Sequence, residues 1–323
     1  MKLTVVMYHF VRDIARSRFK DIKGLETDLF KGQIEFIKKH YSVVSCYDVI
    51  SFLKGEAKLP PRPLILSFDD GYIDHFENVF PVLLQNKLPG CFFPAAEAVL
   101  KKKVLGVNKI HFVLASCKDK QSLLLEIEGM FEVSKRELSL GSIEQYKFKE
   151  VPLGRQDDLI VTNIKQMLQR SLPYQLRSTI VNFLFEKYVT TDEQDFANNL
   201  YMDEVKLRRI MEGGMILGSH GYSHEWMDIM PAHEQEREVE LSLNFLRDIG
   251  VSMEDWVMCY PHGAWNESLL KILRKKGCGL GLTIEVNLAK LGKIDPLLMP
   301  RLDTNDLPKS HDASASSWTV DAN

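Results

Sequence analysis

A chain of 323 residues with 45% apolar and 26% charged side chains has the composition of a globular protein with a sizeable core, which excludes a disordered or fibrous one. A formal net charge of -3 gives no global pull toward nucleic acid or an anionic membrane surface, so no nucleic-acid partner is expected. The five cysteines, Cys46, Cys91, Cys117, Cys259 and Cys278, are scattered, odd in number and without CxxC spacing, which points to neither a disulfide framework nor a thiolate zinc site.

In chain order, short apolar and β-branched runs alternate with segments of helical period, the signature of strands joined by crossover helices. The first run, LTVVMY at 3–8, ends at Tyr8 and His9; MKLTVVMYHF has no small-residue cleavage site, and a cytoplasmic location is the expectation. Further strands are expected at 42–45, 64–68, 91–95, 215–219, 256–260, 281–284 and 297–302. Helices are expected between them, with Leu29, Ile34 and Ile37 on one face, then Val79, Val82 and Leu83, and later Val239, Leu243 and Leu246 before Gly250. No stretch reaches the roughly 18 apolar residues of a membrane span.

Residues 101–200 break this rhythm and read as amphipathic helices, one face carrying Leu159, Ile164, Met167, Leu168, Leu176, Ile180 and Leu184 around Pro173. The expected organisation is an α/β domain built as a distorted (β/α) barrel over 1–100 and 201–308. A helical insertion occupies 101–200, and a flexible tail spans 309–323.

If the strands run parallel, the residues that follow them gather at one end of the sheet. Asp69, Asp70 and Gly71 follow LILSF, His220 and His224 follow MILGS, Pro261, His262 and Gly263 follow WVMCY, His9 follows the first strand, and Arg301 lies in the last. The i, i+4 spacing of His220 and His224 lets two imidazoles face one ion from a single helical turn. With Asp70 as the third donor they make a three-ligand site that leaves positions open for water and substrate. A divalent cation so held lowers the pKa of a water toward about 7 and polarises a carbonyl, leaving Asp69 to take the proton. Singly, each motif has a structural reading: DDG as a turn, the His pair as a polar face, Arg301 as a strand-end ion pair. Their joint occurrence, in order, is what points to chemistry.

SFDDGY at 67–72, GSHGYSH at 218–224 and YPHGAWN at 260–266, with the N-terminal MYH at 7–9, resemble the polysaccharide deacetylase family, the NodB-homology group of carbohydrate esterases. The resemblance covers residues 1 to about 100 and 205–302. It implies a seven-stranded distorted barrel and a hydrolase acting on C–N bonds other than peptide bonds, with an N-acetylated sugar or glycan as substrate and a divalent metal, zinc above all, as cofactor. It further implies Asp69 as catalytic base, Asp70, His220 and His224 as metal ligands, and a substrate groove at Tyr260, Pro261, His262, Gly263 and Trp265. The chain departs from the family at Gly221, where many members carry Ser or Thr, and at Cys259 and Tyr260, where many carry Arg. Arg301 is the candidate to take over that guanidinium role. The family's late Leu-x-His motif is not recognisable, and His9 or His262 is the candidate acid. The alternatives are hydrolysis of another C–N amide, deformylase- or allantoinase-like, and an inactive glycan-binding homologue.

Overall fold

The computed structural model describes residues 1–150 and 157–322. Its strands are β1 (Lys2–Tyr8), β2 (Ser42–Val43), β3 (Pro63–Asp70), β4 (Cys91–Pro94), β5 (Ile216–Leu217), β6 (Val257–Cys259), β7 (Leu280–Leu282), β8 (Ala289–Lys290) and β9 (Leu302–Asp303). β1 pairs in parallel with β3, from Thr4 opposite Leu64 to Tyr8 opposite Phe68. It also pairs in parallel with β9 and antiparallel with β8. Parallel ladders continue from β3 to β2 and β4, and from β4 to β5. The result is a mixed seven-stranded sheet, with β6 and β7 as a separate parallel pair.

The α/β class stands and the sheet has seven strands, but it is mixed, since β8 is antiparallel, and among the described residues the ladders form an open path. Two isolated bridges, Ser219 to Met258 and Leu282 to Met299, lie to either side of the β6–β7 pair. Several expected strands shrink to two or three residues, and 297–302 contributes a ladder only from Leu302.

The described residues form two compact units. The first comprises Met1–Asp13, Gly24–Lys103 and Ala197–Asn323. Its helices include α1 (Thr27–His40), α2 (Cys46–Leu53), α3 (Phe80–Asn86) and α4 (Ala96–Lys101). On α1 the buried residues are Phe30, Gln33, Ile34, Phe36 and Ile37, so Ile34 and Ile37 face inward as expected, whereas Leu29 is exposed and Phe30 is buried in its place. The second unit comprises Ile14–Lys23 and Val104–Phe196, and carries α5 (Gly106–Ser116), α6 (Lys120–Lys135), α7 (Leu159–Gln166) and α8 (Tyr174–Tyr188). Segment 14–23 joins it because the Phe19 ring packs edge-on against Phe112 at 4.8 Å and Phe196 at 5.8 Å. No strand occurs among the described residues of 104–196.

The first unit continues through α9 (Glu193–Leu200), whose start lies in the second unit, α10 (Glu204–Glu212), α11 (Ala232–Ile249), α12 (Glu267–Lys275) and α13 (Ser317–Asp321). Helix α13 corrects the expectation of a flexible tail: Thr319 is buried and its hydroxyl accepts from Tyr41 Oη at 3.0 Å. No helix among the described residues is long and apolar enough to cross a membrane.

Strand alternation divides the first unit's core in two. Val6, Tyr8, Leu64, Leu66, Phe68, Met258 and Tyr260 join the helix-covered cluster with Phe30, Ile34 and Ile37. Leu3, Val5, Ile65, Cys91, Phe93, Val257 and Cys259 join a second cluster that α2 supports through Cys46, Val49 and Ile50. Ser67 and Asp69 share the parity of Ile65, so the chain's own period-2 geometry puts Asp69 on the side of the second cluster.

Candidate active site

β3 is buried along its whole length and ends in two acids whose backbones differ sharply. Asp69 is in the strand, while Asp70 turns to φ 70° and Gly71 follows at φ 74°. Two successive left-handed residues end the strand and swing Asp70 out of its alternation; such strain in a non-glycine residue is characteristic of functional sites. Gly71 is required twice over, since a Cβ there would lie 2.8 Å from Pro94 Cβ as well as meeting an unfavourable φ.

Asp70 meets the histidine pair. Its Oδ1 lies 3.2 Å from His220 Nε2 and 3.2 Å from His224 Nε2, all three side chains buried. The Tyr72 hydroxyl donates to Asp70 Oδ2. The His pair is not on a helical turn, as its spacing suggested: residues 220–224 are an irregular loop, with Gly221 at φ 70° and His224 at φ 60°. The left-handed backbone at Gly221, together with Pro261 Cγ 3.3 Å from a Cβ built there, accounts for glycine where Ser or Thr was the family expectation.

The donor chemistry fits a cation. His220 Nδ1 bonds the carbonyl of Cys259 at 2.8 Å, so Nδ1 carries the proton and, in the neutral ring, Nε2 presents its lone pair to Asp70 Oδ1. Acceptor facing acceptor at 3.2 Å is favourable only with a positive charge shared between them. Burial alone would disfavour an ionised Asp70, but the facing His220 and His224 imidazoles outweigh it and hold the carboxyl well below its usual range. Burial likewise disfavours a charged His224, and Asp70 overrides it and raises that imidazole. Two imidazoles and a carboxylate within 4.8 Å of one another form a three-donor set with open positions.

Asp69 points elsewhere. Arg301 Nη1 lies 2.9 Å from its Oδ1 and 2.8 Å from its Oδ2, and the same guanidinium donates to Thr283 O at 2.6 Å and Ser67 Oγ at 3.2 Å. Burial pushes the Asp69 carboxyl up; Arg301, His220 and His9 together outweigh it and hold the group below its ordinary value. The Cys259 thiol belongs to the same cluster, and burial followed by the neighbouring Asp69 charge keeps it protonated despite Arg301.

His9 Nε2 is 3.9 Å from Asp69 Oδ2 with its side chain 42% exposed, so it stands at the open rim beside a buried carboxylate. His262, at φ 57°, stacks on Trp226 at 4.4 Å and 5° and meets His224 edge-on at 4.7 Å. Burial first, then the neighbouring His224, pushes His262 well below the usual imidazole range. Pro261 is buried and Trp265 is exposed, with Gly263 against Ile284. Tyr260 is a correction to the expected groove: its parity sends it into the helix-covered core, where its hydroxyl donates to Leu297 O at 2.8 Å and no surface remains.

Two further residues escaped sequence reasoning. His75 opens a π-helical turn, His75–Val79, immediately after the DDG turn and is fully buried beneath Phe68, Tyr72 and Phe92. Its Nε2 bonds the backbone carbonyl of His9 at 2.8 Å and thereby holds the segment that carries the rim imidazole. Trp226, six residues beyond His220, supplies the flat partner for His262. A polar residue at the start of the helix after DDG was the available signal for His75; nothing in the sequence signals Trp226.

Residues 157–280 match the model of the polysaccharide deacetylase family, a span that holds His220, His224 and the 260–263 motif, while Asp69 and Asp70 precede it. Among curated proteins the chain is 28% identical over 96 residues to the poly-beta-1,6-N-acetyl-D-glucosamine N-deacetylase of Escherichia coli K12, and equally to that of strain O157:H7. That stretch is 29% of this chain and spans only 14% of the relatives' length. Similar solved structures include the deacetylase PplD of Streptococcus pyogenes in complex with acetate, at TM-score 0.58, 14% identity and 96% coverage of both chains. A de-N-acetylase of Aggregatibacter actinomycetemcomitans gives TM-score 0.58 and 14% identity over 100% of both chains. IcaB of Ammonifex degensii gives TM-score 0.56 and 16% identity over 99% of this chain and 95% of that one. The family model thus matches one part of this chain, residues 157–280, and the solved structures, each at 14–16% identity, share its fold.

Proposed function

We propose that this chain is a metal-dependent hydrolase that removes the N-acetyl group of an amino sugar in a polysaccharide or glycan precursor. The observation that carries the reading is the pairing of a three-donor set, Asp70, His220 and His224, with a second buried acid, Asp69, kept ionised by Arg301. A divalent cation held by those three residues, zinc by the match of its preferences to two imidazoles and a carboxylate, supplies Lewis-acid polarisation of the acetyl carbonyl and a more acidic water.

The remaining work falls to the chain. Asp69, ionised and fixed through Arg301, accepts the proton of the attacking water. His9, 3.9 Å away and facing the rim, delivers a proton to the departing sugar amine, and His75 holds its backbone for that task. The flat face of Trp226 and His262 offers an apolar surface to a sugar ring. The curated relatives' substrate supports N-acetylglucosamine as the sugar. The bridges at Ser219 and Leu282 support reading the ladders as a distorted barrel of the seven-stranded type.

Asp69→Asn and His224→Ala separate the roles. Asp69→Asn is expected to retain cation binding, measured by metal analysis after dialysis, while acetate release from N-acetylglucosamine oligomers falls by about 10²–10⁴-fold. His224→Ala is expected to lose both. A fully active Asp69→Asn protein refutes the assignment of the base, and bound metal without hydrolysis of any offered acetamide by the unsubstituted protein favours a glycan-binding homologue.

A further inference from the structure

The loop that carries His220 and His224 has no regular structure of its own, with left-handed backbone at Gly221 and His224, so the angle between the two imidazoles must be set from outside it. Helix α11 supplies the means. Gln235, Glu238 and Ser242, three and four residues apart, make a polar stripe beside Val239, Leu243 and Leu246 on an otherwise apolar face. Ser242 Oγ bonds Ser219 Oγ at 2.8 Å, and Ser219 Oγ accepts from Gly221 N at 3.2 Å. Glu238 Oε2 accepts from two successive backbone N–H groups, Tyr222 at 3.1 Å and Ser223 at 2.9 Å. Gln235 Nε2 donates to Met227 O at 2.7 Å, closing the far end of the loop. From the opposite side, Ala96 N and Glu97 N donate to the carbonyls of Gly221 and Tyr222 at 3.4 and 2.9 Å.

We propose that Glu238 is a positioning residue for the cation site, its carboxylate clamping the His220–His224 loop so that both Nε2 atoms meet Asp70. The proposal rests on the metal-dependent reading above. His220 is held independently by the Cys259 carbonyl, whereas the His224 ring meets Asp70 and the edge of His262; the loop's own anchors therefore matter most for His224. Partners that orient metal ligands at one remove typically change affinity by about 10–100-fold when removed. Glutamine at 238 keeps an oxygen that can accept both N–H groups, while alanine strands them.

The experiment is titration of metal-free full-length protein with Zn²⁺ and Co²⁺ by calorimetry, together with the visible absorption bands of the Co²⁺ form. Glu238→Ala is expected to bind both ions about 10–100-fold more weakly with altered Co²⁺ bands. Glu238→Gln is expected to restore affinity and bands, and Glu236→Ala, on the same helix beside Lys276, to leave both unchanged. If Glu238→Ala does not fold, Glu238→Asp, which withdraws the oxygen by one methylene, is judged by the same two readouts. Unchanged affinity and bands in Glu238→Ala, or in Glu238→Asp should it serve in its place, overturn the positioning role alone. An unsubstituted protein that binds neither ion overturns the cation site with it.

Discussion

At Asp69, burial and charge act in opposite directions on one carboxyl, and Arg301 is the larger of the countervailing partners. Because its folded pKa lies below the ordinary value, the ionised Asp69 contributes stability at neutral pH that is lost as pH falls through the folded value. Arg301→Met takes away that support and leaves a buried charge uncompensated. The expected cost is about 3–5 kcal/mol in urea unfolding. The Asp69 carboxyl should then protonate at higher pH, moving the acidic limb of the pH–rate profile upward. A variant with unaltered stability and an unmoved acidic limb would show that Arg301 does not tune Asp69. Asp69, Asp70 and His220 were legible because each stands beside a glycine or another polar residue just after an apolar run, where a core residue has no reason to be, and His224 through its spacing from His220. Tyr260 was misassigned because its motif neighbours are at the rim while its own parity points inward. What Glu238 and His75 do was invisible for a different reason: each acts on a backbone group far away in sequence, and no local pattern encodes such a bond.

Among elements, the junction of β3 with the turn at Gly71 is tightly constrained. A Gly71→Ala substitution meets φ 74° and places a methyl 2.8 Å from Pro94 Cβ on the neighbouring strand β4. Backbone strain of this kind costs about 1–3 kcal/mol, and the clash adds to it. The expected outcome is a lowered urea midpoint together with weaker cation binding, since Asp70 precedes the shifted turn; a midpoint equal to that of the unsubstituted protein would contradict it. Long amphipathic elements such as α1, α8 and α11 were readable from their period, and the break at Pro173 ahead of α8 was too. Strand β8 was not readable: its two residues have no alternation to detect, and its antiparallel pairing with β1 depends on where the chain returns in space. The His220–His224 spacing mimics a helix, but glycine at 221 lets the loop reach the same convergence by left-handed turns.

For the whole molecule, the buried neutral His75 makes stability depend on pH. Burial lowers its pKa from 6.5 to about 4, so between those values the unfolded chain binds a proton that the folded chain does not. Stability tied to this group is fully present above 6.5 and is lost as pH falls toward about 4, by roughly 3 kcal/mol. His75→Phe should flatten that part of the stability–pH curve measured by urea unfolding, and an undiminished slope would contradict the assignment. Metal-dependent deacetylation is tested most directly by acetate release from N-acetylglucosamine oligomers, comparing chelator-treated protein with the same sample reconstituted with Zn²⁺. Release is expected to be negligible when metal-free and to recover fully on reconstitution, with one free amine formed per acetate. Equal release from the metal-free and reconstituted samples would contradict it.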